Sequence, residues 1–339
     1  MANLPLTILD RFVIAAGPDS RSRVFAGVHL LPNGELIVGY RDGTDHLKTD
    51  DGAIMIKRSP DSGRTWSNQV AVCAIPGWDC SGANRILQLE NGQLLMFVFQ
   101  AKWQTTNSGP PLRESHVYTS RSSDGGRTWS EFGTEVKLFD GWTEPYAHGD
   151  LLLADDGNWL LPAHGSDSIG GRTYSTLAIS ADRGQTWVRR GIIASAEGVN
   201  FYETDLIRLE NGRLLGVIRT DDPPFNTYQA YSNDDGHSWS DPTPTGFRGP
   251  TPRLFQLNNG ALICAYRDRD PERPGVSYSI SVDVGQEWRF IGQLYESIDW
   301  NCGYPDMVRL PNNEIFCVFY TAYCNGNSEI HGLLLRDNT

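Results

Sequence analysis

"SPDSGRTWS", residues 59–67, sets a Ser, an Asp, a Gly and a Trp within nine positions. The chain repeats the pattern as SSDGGRTWS from Ser122, SADRGQTWV from Ser180, SNDDGHSWS from Ser232 and SVDVGQEWR from Ser281. A catalytic motif is not normally written five times, whereas a structural turn is. The Ser and Asp side chains bond nearby backbone N–H groups. The glycine supplies a positive φ, and the Trp an apolar ring to tuck against a sheet. The phrase therefore reads as a recurring tight turn rather than five metal or sugar sites.

The closing tryptophans, Trp66, Trp129, Trp187, Trp239 and Trp288, lie 63, 58, 52 and 49 residues apart, the period of an architectural repeat. A second phrase precedes each: two β-rich runs around a tight turn. Its copies are HLLPNGELIVGYR, ILQLENGQLLMFVF, LLLADDGNWLLPAH, LIRLENGRLLGVIR, RLFQLNNGALICAYR and MVRLPNNEIFCVFY. Asn-Gly or Asp-Gly between apolar runs is a strong hairpin signal. Each unit thus reads as four antiparallel strands. Six units predict an all-β, six-bladed β-propeller spanning residues 1–339 as a single domain. The sixth unit ends at EIHGLLLRDNT without its own phrase. LTILDRFVIAAG, near the N-terminus, resembles the segments that follow the phrases and is expected to supply the outer strand of the last blade.

The composition is that of an ordinary folded protein, 39% hydrophobic and 21% charged, with 35 Gly and 19 Pro for turns. A formal net charge of −12 argues against a nucleic-acid partner. No apolar run is long enough to span a membrane. MANLPLTILDRF lacks the basic-then-apolar pattern of a signal peptide, so a cytoplasmic location is the expectation. The six cysteines, Cys73, Cys80, Cys264, Cys302, Cys317 and Cys324, have no metal-ligand spacing and read as core residues or free thiols. No metal and no cofactor is expected. Of the 29 basic residues, 25 are Arg, the side chain that grips carboxylates through a planar fork.

In a propeller the ligand meets the ends of the inner strands at one mouth of the channel. Candidate residues therefore flank the hairpins. They are Arg23 before the first, Arg41, Asp45, His46 and Asp50 after it, Glu203 and Arg219 around the fourth, Arg253, Arg267 and Arg273 around the fifth, and Tyr304 before the sixth.

The pattern S-x-D-x-G-x-[TS]-W resembles the Asp box of the sialidase (neuraminidase) superfamily of BNR-repeat propellers, and five copies cover most of the chain. The resemblance implies roles for the flanking residues. Glu203 and Arg219 match the family's Glu before the fourth hairpin and Arg after it. Tyr304 matches its last-blade Tyr. Arg23 holds the place of the first-blade Arg, without the Ile-Pro that follows in the family. Arg273 best fits the third Arg, with Arg267, Arg253 and Arg41 as further carboxylate-binding candidates. Asp45 and Asp50 both fit the acid/base position, and His46 stands beside them as another proton-transfer group. Where the family carries a Glu after the last hairpin, this chain has Tyr320, Thr321 and Tyr323.

The chemistry implied is retaining hydrolysis of a terminal acidic sugar, sialic acid first. Arginines clamp the substrate carboxylate. A Tyr hydroxyl, deprotonated by Glu203, attacks without the repulsion a carboxylate nucleophile would meet. Alternatives are an exo-glycosidase with another sugar, a uronate-directed polysaccharide lyase using His46 or Tyr304 as base, and a non-catalytic glycan- or protein-binding propeller.

Overall fold

The computed structural model describes residues 4–17, 20–46, 49–82, 86–103, 112–144, 147–148, 152–168, 171–221, 227–323 and 326–339. Six antiparallel sheets follow one another as blades I to VI. Blade I shows the plan. Ser22–Leu30 is innermost, pairs with Leu36–Gly43 through the Asn33-Gly34 turn, and continues outward to Ala53–Ser59 and Val70–Cys73. The second strand is packed on both faces by neighbouring blades, so every residue from Leu36 to Gly43 is buried. Blade VI closes the ring as expected: Leu6–Ala15 pairs with Ser328–Asp337, from Leu6 against Asp337 to Ala15 against Ile330.

Two blades depart from the plan. In blade II the inner strand is split into Asp79–Ser81 and Ile86–Gln88. In blade III it is split into Trp142–Glu144 and Leu152–Leu153. Between those halves Ala147–His148 pairs in parallel with Phe201–Arg208 of blade IV, the one parallel pairing among the described strands.

The Asp boxes are turns with a second task. Ser59 Oγ donates to Asp61 Oδ1 at 2.8 Å and accepts the Gly63 N–H at 2.8 Å. Asp61 also accepts the Thr65 N–H at 2.8 Å and its hydroxyl at 2.7 Å. Equivalent Ser–Asp bonds recur at Ser122, Ser180, Ser232 and Ser281. The turn needs positive φ at two successive positions, not at the glycine alone: Ser62, Gly125, Arg183, Asp235 and Val284 precede the box glycines at φ of 58–70°. Each glycine also meets the preceding blade. A Cβ on Gly63 would stand 2.2 Å from Phe316 of blade VI, and one on Gly236 2.2 Å from Leu177 of blade III. The box therefore fastens blade to blade, and Trp66 against Phe316, with rings 5.9 Å apart, does so across the closure of the ring.

On the channel side, buried ions take over this role. Asp205 of blade IV accepts the Leu254 N–H of blade V at 2.6 Å, and Asp306 of blade VI accepts the Val28 N–H of blade I at 2.8 Å. The five described cysteines are buried free thiols; Cys324 lies outside the described residues.

Candidate active site

The Asn-Gly hairpins and Asp boxes share one face of the ring, as the Glu35–Arg58 and Asp235–Arg208 ion pairs between them attest. The opposite face carries the strand-2 to strand-3 loops and the blade-to-blade links. There the inner strands of blades I, IV and VI are bulged, their registers shifting between Val24 and Gly27, Phe201 and Thr204, and Gly303 and Asp306. A bulge bends a strand and re-aims its side chains. Phe25 and Tyr304 lie in two of these bulges at φ of 56° and 52°. Such a conformation costs a non-glycine residue about 1–2 kcal/mol, and it persists only where the surroundings over-determine it.

The outcome is a convergence from three blades. Tyr304 Oη donates to Glu203 Oε1 at 2.5 Å, and Arg219 Nη1 donates to the same oxygen at 2.7 Å. Asp221 holds the other side of Arg219, with Nη2 to Oδ2 at 2.6 Å, and Arg269 bonds Asp221 at 2.7 Å. Burial works to lower the Arg219 guanidinium, yet the negative charges of Glu203 and Asp221 leave it well above its ordinary value. Arg267, buried, donates to the Cys302 carbonyl and the Tyr320 hydroxyl. Among the described residues it has no carboxylate partner. A Cβ on Gly303 would stand 2.9 Å from Arg267 Nε, so the glycine makes room for this approach. Burial pushes the Tyr320 phenol up to about 12, keeping it neutral in water near pH 7.

His46 belongs to the same cluster. Its ring lies 5.3 Å from Phe25 and 5.5 Å from Tyr320, and the Phe25 ring lies 4.9 Å from Tyr304. Asp45 and Asp50 are exposed and already bonded: Asp45 to the His46 N–H at 2.6 Å, and Asp50 to the Trp103 N–H of blade II at 2.9 Å.

Four candidate arginines are directed elsewhere. Arg23 pairs with Asp42 at 3.0 Å and donates to the Ala16 carbonyl of blade VI. Arg41 pairs with Asp79 at 2.7 Å, and its other nitrogens hold the Asp45 carbonyl and the Thr49 hydroxyl, pinning the loop that carries His46. Burial pushes the Asp79 carboxyl up against the opposing pull of Arg41. Arg253 bridges Asp306 at 2.9 Å and Asp205 at 3.5 Å, a tie among blades IV, V and VI. Arg273, half exposed, pairs with Asp270 at 2.8 Å and covers the Phe290 ring at 4.5 Å. In each case a nearby acid determines the direction of the guanidinium. The arginines gathered near Glu203 are instead Arg219, Arg267 and Arg269. Hairpin spacing singled out the first two. Arg269, Asp221 and Phe25 carried no comparable local signal, since their placement depends on loops and a bulge. Among the described residues no group of three His, Cys, Asp or Glu is arranged to hold a metal ion.

Residues 34–317 match the BNR repeat-like domain. The chain belongs to that family. A curated relative, a sialidase from Micromonospora viridifaciens, is 28% identical over 257 residues. The match covers 70% of this chain and 38% of that sialidase, so this BNR-repeat chain spans well under half the length of the relative. Among solved structures, a protein of unknown function from Dyadobacter fermentans superposes with a TM-score of 0.84 at 20% identity, covering 98% of this chain and 100% of that one. A Hadza microbial sialidase gives 0.71 at 19%, covering 94% and 66%, and Trypanosoma rangeli sialidase with the inhibitor DANA gives 0.71 at 16%, covering 96% and 59%. The six-bladed fold is that of the sialidase superfamily.

Proposed function

We propose that this BNR-repeat propeller is a retaining exo-glycosidase that removes a terminal acidic sugar, with sialic acid the leading substrate. The observation that carries the reading is the 2.5 Å bond from the Tyr304 hydroxyl to Glu203, in a carboxylate already gripped by Arg219. Glu203 is the base that takes the phenolic proton as Tyr304 Oη bonds to the anomeric carbon. The glycosidic C–O bond breaks, and an acid protonates the leaving oxygen. Water then attacks the tyrosyl-glycoside, regenerating Tyr304. His46 is the preferred acid/base, because its ring packs in the Phe25–Tyr320 cluster beside Tyr304 while Asp45 and Asp50 hold backbone N–H groups. Arg219, Arg267 and Arg269 face two carboxylates, Glu203 and Asp221. Arg267, bonded to the Cys302 carbonyl and the Tyr320 hydroxyl, is the main partner for a substrate carboxylate.

A uronate-directed lyase is the second reading. It is favoured by His46 in the cluster, a proton-transfer group beside Phe25 and Tyr320. Assay of wild type and Tyr304→Phe on sialosides and on a uronate panel tests both. Hydrolysis of a sialoside that Tyr304→Phe abolishes supports the glycosidase. A product with a new C=C bond and ultraviolet absorbance supports the lyase. Sialoside turnover unchanged in Tyr304→Phe sinks the Tyr-nucleophile mechanism.

A further inference from the structure

The link from blade I to blade II brings two cysteines together. Cys73 ends the outer strand of blade I, Val70–Cys73, where it pairs with Ile54. Cys80 lies in Asp79–Ser81, the first half of the blade II inner strand, and its N–H donates to the Gly52 carbonyl at 2.9 Å. The short stretch from Gly52 to Ile54 therefore positions both. Their side chains share an apolar cluster with Ile54, Met96 and Val98. There the two thiols are hydrogen-bonded to each other, and the Ile75 N–H donates to the Cys80 sulfur. The thiol–thiol bond raises the Cys73 thiol and lowers that of Cys80, so Cys80 is the sulfur that carries the charge when a proton leaves. A buried cysteine in apolar surroundings is ordinarily inert. Cys80 differs in having a second thiol and a backbone N–H directed at its sulfur. The other described cysteines, Cys264, Cys302 and Cys317, meet backbone carbonyls instead.

Asp79, beside Cys80 in the chain, connects the pair to the candidate site. It accepts from Arg41 and from the Trp103 indole, each at 2.7 Å, and Arg41 in turn holds the Asp45 carbonyl of the loop that carries His46. The junction is tight, since a Cβ on Gly52 would stand 1.8 Å from Asp79 Oδ1. A close-packed interior transmits such a displacement rather than absorbing it. Cys73 is 8% exposed and Cys80 0%, which restricts reaction to a small oxidant.

We propose that Cys73 and Cys80 form a redox site at which a small hydroperoxide produces a reversible disulfide, drawing Asp79 from Arg41 and loosening the loop that carries His46. With hydrogen peroxide, the Cys80 thiolate attacks one peroxide oxygen, the O–O bond breaks, and the departing oxygen leaves as water. Cys80 is then a sulfenic acid. The Cys73 sulfur attacks the Cys80 sulfur, the S–O bond breaks, and a second water leaves with the Cys73 proton. Two thiols are oxidised to one disulfide, and one hydrogen peroxide is reduced to two waters. This site stands independently of the glycosidase reading.

The test uses the full chain, hydrogen peroxide and dithiothreitol. Trypsin, cutting after Arg64 and Arg85, releases both cysteines in one peptide, residues 65–85. From reduced protein, denatured and treated with iodoacetamide, that peptide carries two alkyl groups. From peroxide-treated protein it is expected to carry none and to be lighter than the dithiol by two hydrogens, and dithiothreitol restores alkylation. Amide hydrogen exchange, read on the peptide containing Asp45 and His46, is expected to show a loss of protection in oxidised wild type and none in peroxide-treated Cys73→Ser. Wild type alone decides the first result, so it does not depend on a variant folding. Two alkylated thiols after peroxide, or sulfonic acids without a disulfide, overturn the redox site. A disulfide with unchanged exchange at Asp45 and His46 overturns its link to the loop.

Discussion

Tyr304 and Glu203 are 101 residues apart in sequence and 2.5 Å apart across the propeller mouth. One sits on the inner strand of blade VI and the other on that of blade IV, each in a bulged segment. On the proposed mechanism Glu203 matters only as a proton acceptor for Tyr304. Glu203→Gln keeps an oxygen for the hydrogen bond and removes the base. We expect kcat to fall by about 10²–10⁴ with a cooperative melt still present, measured by steady-state kinetics beside thermal unfolding. A Glu203→Gln enzyme with wild-type kcat would remove Glu203 from the mechanism.

The choice of proton donor separates by leaving group. If His46 protonates the departing oxygen, His46→Ala slows a poorly leaving alkyl glycoside far more than an activated nitrophenyl glycoside. Asp50→Asn, which alters a bond to the Trp103 N–H, is expected to show no such selectivity. The opposite pattern would transfer the role to Asp50.

Arg253 is predicted to act on stability. Its guanidinium lies between Asp205 and Asp306, both buried. Replacing it with Met leaves two carboxylates without their cation, a loss of about 3–5 kcal/mol for a broken buried pair. Urea unfolding should show the midpoint falling accordingly. A midpoint unchanged from wild type would contradict this account of the ring.

The Asp boxes set an acid limit. The Thr128 and Ser238 hydroxyls, above all, hold Asp124 and Asp234 below the ordinary carboxylate value, Asp234 at about 2. Asp61, Asp182 and Asp283 are lowered as well. A carboxyl whose folded value is depressed contributes stability above its unfolded value of 3.8, and the contribution is lost as pH falls through the folded value. Stability should therefore decline from about pH 4 towards about pH 2, and Asp124→Asn should flatten part of that decline. Thermal midpoints across this range provide the check.

Val284 carries avoidable strain. A β-branched residue at φ of 58° is an outlier, and the second Asp box has glycine at the equivalent position, Gly125. Val284→Asn or Val284→Gly should raise stability by about 0.5–1 kcal/mol, after the entropy a glycine adds to the unfolded chain is set against the strain removed. A lower unfolding midpoint in both variants would refute this.

The sequence by itself determined what rests on neighbours in the chain. Asn-Gly turns between apolar runs mark the hairpins, the Ser-Asp-Gly-Trp phrases count the blades, and Leu6–Ala15 reads as the strand that closes the ring. Glu203 and Arg219 were also legible, because paired strands of one hairpin bring residues 16 apart together. Tertiary structure decided where the other arginines point. Arg23, Arg41, Arg253 and Arg273 look alike in sequence, yet each turns to a different acid, and a buried guanidinium must follow its counter-charge. It also decided that Phe25 and Tyr304 face the mouth, since a bulge changes which side of a strand a residue occupies, and the alternation of the sequence does not record it.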